Sequence, residues 1–118
     1  MLQKLNTTPG KIIGFKFSDT LTDEDSKSFA TQIEKAVANE GKIRLLLMMD
    51  YPQPLTLKAV WDNLLFWIKH IEDIERLAIV GQKSWEKWIE FIEQPFIKTE
   101  VKYFDKPSFE VALAWLSA

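Results

Sequence analysis

The apolar and polar positions of this chain follow two alternating periods. Residues 43–49 read Ile43-Arg44-Leu45-Leu46-Leu47-Met48-Met49, an almost unbroken apolar run that ends in Asp50-Tyr51-Pro52. A run without polar alternation suits a strand of a parallel sheet covered on both faces. Further runs at Leu2–Asn6, Ile12–Phe17, Arg76–Val80 and Glu100–Phe104 predict four more strands. Thr8-Pro9-Gly10 separates the first two. Proline presets φ and glycine accepts positive φ, so a turn is expected there, with an antiparallel hairpin around it.

Between the strands the period lengthens. Phe29, Ala30, Ile33, Ala36 and Val37 recur at helical spacing after Thr22-Asp23-Glu24-Asp25. Thr22 is placed to cap that helix, with Asp25 in the capping-box position and an acidic first turn that suits the dipole. Gly41 is placed to stop it. A second helix is predicted from Leu57 to Ile71, with Leu57, Val60, Trp61, Leu64, Ile68 and Ile71 on one stripe. Glu72-Asp73-Ile74-Glu75 reads as a polar break before the fourth strand. A third helix is expected from Ser84 to Glu93, ended by Pro95, and a last one from Ser108 to Leu116 behind Pro107. The order β-β-α-β-α-β-α-β-α predicts an α/β fold: one mixed five-stranded sheet, parallel except for its hairpin strand, with four helices in a single domain over residues 1–118.

The helices carry more aromatic surface than their core stripes need. Phe66 falls on the far side of the second helix, Leu65 and Trp67 flank its stripe, and Trp88 and Phe91 lie at or beyond the margin of the third. Trp115 is off the stripe of the last. A contiguous apolar patch usually marks an interface, a groove or a membrane contact. The expected wall or lip of such a site, near the end of the third strand, is Met49, Tyr51, Trp61, Leu65, Phe66, Trp67, Trp85 and Trp88. Its occupant is expected to be an apolar small molecule or lipid chain, or a bilayer surface in peripheral contact. A second copy of the chain is the competing occupant.

Composition narrows the alternatives. The 118 residues suffice for one packed core, and 47% apolar with 27% charged residues is ordinary for a globular domain. A net charge of -2 with no basic run argues against nucleic acid as a partner. Cysteine is absent, which excludes disulfides and thiolate metal sites and fits a reducing compartment. No stretch approaches the ~20 apolar residues needed to span a bilayer, and the N-terminus lacks the apolar core of a secretory signal. A cytoplasmic location is expected, at most peripheral to the inner face of the membrane.

Catalytic chemistry finds little purchase. His70 is the single histidine, near a helix C-terminus, and the four glycines form no phosphate loop. Asp50 stands where open α/β sheets gather ligands, beyond a strand's C-terminal end, yet a short polar side chain there commonly braces the turn. No nucleophile–base pair or metal cluster is recognisable, so the expectation is no enzyme, no cofactor and no metal.

Several pieces in order resemble a known family. They are Gly41-Lys42-Ile43-Arg44-Leu45-Leu46, Trp61 with Lys69-His70, and Arg76-Leu77-Ala78-Ile79-Val80-Gly81. Trp85 with Trp88, Val101-Lys102-Tyr103-Phe104 and Ala112-Leu113-Ala114-Trp115-Leu116 follow. Across essentially the whole chain this is similar to the SpoIIAA-like proteins, a small bacterial family related in fold to STAS domains and to the lipid-binding Sec14 (CRAL-TRIO) domain. The resemblance implies a non-enzymatic domain that binds an apolar ligand or associates with membranes. STAS antagonists of anti-sigma factors switch by phosphorylation of a Ser at the start of the helix after the third strand. Here that place reads Asp50-Tyr51-Pro52-Gln53-Pro54-Leu55-Thr56, without Ser. Thr56 is the hydroxyl nearest the switch position, and an ordinary N-cap is its alternative role.

Overall fold

The computed structural model describes residues 2–5, 12–19, 21–51, 59, 61–64, 66, 71–81, 99–105 and 109–118. They form a five-stranded sheet of β1 (Leu2–Leu5), β2 (Ile12–Ser18), β3 (Ile43–Asp50), β4 (Ile74–Gly81) and β5 (Glu100–Asp105). The spatial order equals the chain order, β1-β2-β3-β4-β5. β1 runs antiparallel to β2 and every other pair is parallel, as the alternation of elements predicts. Three helical segments are present among the described residues: a first helix (Asp23–Glu40), helical residues 59, 61–64 and 66, and a C-terminal helix (Phe109–Ser117). The expected third helix, from Ser84 to Glu93, lies outside the described residues.

Local chemistry sets the boundaries of the first helix. Thr22 Oγ1 accepts from the Asp25 backbone N–H and the Asp25 carboxylate accepts from the Thr22 N–H, each at 3.1 Å, a complete capping box. Gly41 ends the helix at φ 80°, its N–H donating to the Val37 carbonyl at 2.8 Å. The second predicted helix does not run through Ile71, which belongs instead to a 3-10 turn, Ile71–Asp73. β4 also begins two residues earlier than its apolar run suggests. Ile74 pairs with Ile43 across a register shift, so part of the expected polar break joins the sheet.

Strand alternation separates two cores. Phe15, Phe17, Leu45, Leu47, Met49, Leu77 and Ile79 face the larger one, against Phe29 and Ile33 of the first helix and Trp61 and Leu64. Phe29 meets Phe15 and Phe17 edge to face, with ring centroids 4.9 and 5.2 Å apart. The opposite face presents Leu46, Ala78, Val80 and Phe104 to Ala112 and Leu116 of the C-terminal helix. Right-handed crossovers that always step the same way across a sheet stay on one side of it. The first helix and residues 61–64 accordingly share a face, and the C-terminal helix takes the other.

Candidate functional site

The C-terminal ends of β2 and β3 lie side by side, with Ser18 and Asp50 as the last paired residues. Asp19 and Tyr51 follow them. Asp19 takes the left-handed conformation, φ 52°, which short polar residues tolerate better than most. The first turn of the first helix adds Asp25 and then Ser26, which is fully buried on the row that continues into Phe29 and Ile33.

Tyr51 is the centre of this corner. Its side chain is 3% exposed, within the larger core, and its Oη has no hydrogen-bond partner; neither has the buried Oγ of Ser26. Burial first, then the negative charges of Asp19, Asp25 and Asp50, push the phenol pKa from 10.0 up to about 12. The phenol therefore stays protonated near neutrality and is unsuited to act as a base or nucleophile there.

The predicted apolar site divides. Met49 and Trp61, at 0% and 1% exposure, lie with Tyr51 in the sheet–helix core, where they contribute to the packing of the fold. Phe66 is 78% exposed, as its place on the far side of the helix predicts. Leu65, Trp67, Trp85, Trp88, Thr56 and His70 lie outside the described residues. Trp115 is not surplus surface. It is half-buried against Phe104, ring centroids 5.9 Å apart, with the Arg76 guanidinium 5.2 Å above its ring.

The opposite end of the sheet holds an arrangement that sequence reasoning missed. Arg44 and Arg76 are neighbours on β3 and β4 and point to the C-terminal-helix face. Arg44 Nη1 donates to the carbonyls of Leu116 (2.5 Å) and Ala118 (2.9 Å), while its Nε meets Glu75 at 3.1 Å. Arg76 Nη1 donates to the carbonyls of Trp115 (2.6 Å) and Ala118 (3.4 Å). The last turn of that helix has no basic residue of its own. The two strand arginines supply the positive charge and the donors that its free carbonyls require. An open polar hollow of about 290 Å³ adjoins them, lined by Lys42, Glu72 and Glu100 among others. Its three cations face three carboxylates, and both arginines are already engaged.

Among the described residues no three His, Cys, Asp or Glu side chains approach closely enough to hold a metal ion, and no helix is long and apolar enough to cross a membrane. The family model described as SpoIIAA-like matches residues 12–117. Neither a curated protein nor a solved structure matches the chain.

Proposed function

The chain belongs to the SpoIIAA-like family, and from that premise we propose that it is a small, non-enzymatic regulatory module of the STAS type, acting by binding another protein. The observation that carries this choice over an apolar-ligand carrier is the burial of Met49, Tyr51 and Trp61, each 3% exposed or less. Side chains committed to the sheet–helix core are not free to line a lipid cleft or to rest on a bilayer. Among the described residues, the surface carries a charged rim at the ends of β2 and β3, and its large exposed apolar side chains are Phe66 and Val111. Polar rims and aromatic anchors are both common parts of protein-binding surfaces. Catalysis is not part of the proposal: the chain has a single histidine and no cysteine, and the buried phenol is held neutral.

A specific observation keeps a second reading alive. Phe66 is 78% exposed, on a segment whose Trp61 and Leu64 are buried, and an exposed ring of this kind also suits a lipid surface or a second copy of the chain. One experiment separates the three. A photo-crosslinking phenylalanine analogue is placed at position 66 in the native cell, with a control at Lys35 on the outer side of the first helix. An adduct with a different protein supports the regulatory reading. A lipid adduct supports the apolar reading, and a doubled mass supports self-association. No adduct above the Lys35 control defeats the proposal. Intact-mass measurement of the natively produced protein tests the switch, which requires a phosphate on Thr56.

A further inference from the structure

The sheet keeps the two cores apart, and the C-terminal helix belongs to only one of them. No residue of Phe109–Ser117 takes part in the larger core, which Phe29, Ile33, Trp61 and Leu64 complete on the other side of the sheet. The smaller core is closed by Ala112 and Leu116, with Phe109, Leu113 and Trp115 half-buried around them. Lifting the helix away uncovers Leu46, Ala78, Val80 and Phe104 and leaves the larger core whole. Its outer side is clear, because Glu110, Val111, Ala114 and Ser117 are exposed. The helix is also fastened unevenly. At its N-terminal end the chain itself ties it to β5 through Lys106-Pro107-Ser108. At the other end polar contacts gather on the last turn, where Arg44 and Arg76 hold the carbonyls of Trp115, Leu116 and Ala118. Arg44 also meets Glu75 of β4 at 3.1 Å, an ion pair in which the helix has no share.

We propose that the C-terminal helix is a releasable strap, tied at β5 and latched by Arg44 and Arg76, which opens as a unit while the rest of the fold persists. Its nine residues are too few to stay helical in water once undocked, so release and unwinding are one event. Local openings cost less than global unfolding where few buried contacts have to be given up. Here the fully buried ones are confined to Ala112 and Leu116. Releasing the latch strands no polar group, because the freed carbonyls and guanidinium donors pass to water. Leu46 pairs with Ala78, and Val80 with Phe104, across adjacent strands, so the uncovered seat is one continuous apolar surface. The closed strap withholds that surface and the open strap presents it. The strength of the arginine latch sets the balance between the two.

The test is native-state hydrogen exchange of the full chain by NMR, across a series of sub-denaturing urea concentrations. The amides of Leu113 to Ser117 should exchange through an opening that depends only weakly on urea, protected at least about tenfold over the unfolded chain. Those of Leu45, Leu47, Leu77 and Ile79 should follow urea-sensitive global unfolding. Ile33→Val thins the larger core, which the open and closed forms share. It should speed core exchange about threefold or more and leave the helix amides unchanged. Arg76→Ala weakens the closed form alone and should speed exchange in the helix about tenfold. Ala78→Cys gives a separate readout, since the chain has no other thiol and residue 78 lies in the seat. Its labelling should track the helix amides in both backgrounds. Helix amides that follow urea and Ile33→Val together with the core overturn the proposal. So does a helix without protection in the wild type, an Arg76→Ala variant without effect, or a thiol that labels only as the core unfolds.

Discussion

Removing one oxygen from the core should make this protein more stable. Tyr51→Phe keeps the ring that packs with Met49 and Trp61 in the larger core and deletes a hydroxyl that is buried without a partner. A buried hydroxyl left unsatisfied costs about 1–3 kcal/mol in lost hydration. With no hydrogen bond to forfeit and no cavity of consequence to open, the substitution should raise the unfolding free energy at pH 7 by about 1 kcal/mol or more. The advantage should widen in alkali. The unfolded phenol ionises near 10.0 and the folded one near about 12. Between these values the unfolded state sheds its proton first, which draws the equilibrium toward unfolding and lowers wild-type stability as pH rises. The full interval corresponds to a loss on the order of 2–3 kcal/mol for the wild type, and the phenylalanine variant lacks it. Urea unfolding at pH 7, 9 and 10.5 reads both effects. A variant less stable than the wild type at pH 7 would show that the phenol has a bonding partner in solution and would refute the reasoning.

Three further substitutions probe the frame. Arg44→Ala removes two carbonyl contacts and an ion pair, and should cost about 2 kcal/mol in denaturant, with amide exchange accelerating first in the C-terminal helix. Gly41→Ala meets nothing within 4 Å of the added Cβ, so its cost is the backbone strain at φ +80° alone, about 1–2 kcal/mol by thermal unfolding. Thr22→Ala breaks the capping box and should cost about 1 kcal/mol, read as a lowered urea midpoint with an unchanged m-value.

Legibility in the sequence followed the range of the interactions. The bounds of the first helix were readable because Thr22, Asp25 and Gly41 act within a few residues of one another. β2 and β3 were readable because apolar runs survive any tertiary context, and β5 because Glu100, Val101, Lys102 and Tyr103 alternate polar with apolar. The start of β4 was not, since Glu75 looks like loop until Ile74 is seen paired with Ile43. The arginine clamp was invisible for the same reason. The bond from Arg44 to Leu116 spans 72 residues, and no periodicity announces it. Its one outward signal was two basic residues leading adjacent apolar strands, beside a last helix without a basic end. The apolar surplus read from the helices is smaller at Trp115, where facing direction alone misleads. Trp115 lies off its helical stripe yet finds Phe104 and Arg76 on the sheet. Tyr51 was singled out as an apolar wall residue, whereas its distinguishing feature is the polar atom at its tip.

The strand order has a consequence for how the molecule is assembled in time. Each strand neighbours the one before it in the chain, so the sheet can lengthen by adding strands at one growing edge, with modest loops to close at each step. Its two faces do not mature together. The first helix, lying between β2 and β3, can cover one face as soon as those strands meet. Leu46, Ala78, Val80 and Phe104 on the other face wait for the C-terminal helix. Until that helix docks, a broad apolar surface faces water, and a chain emerging from the ribosome passes through this state each time it is made. The arginine clamp therefore acts at the end of folding, fastening the segment that closes the exposed face.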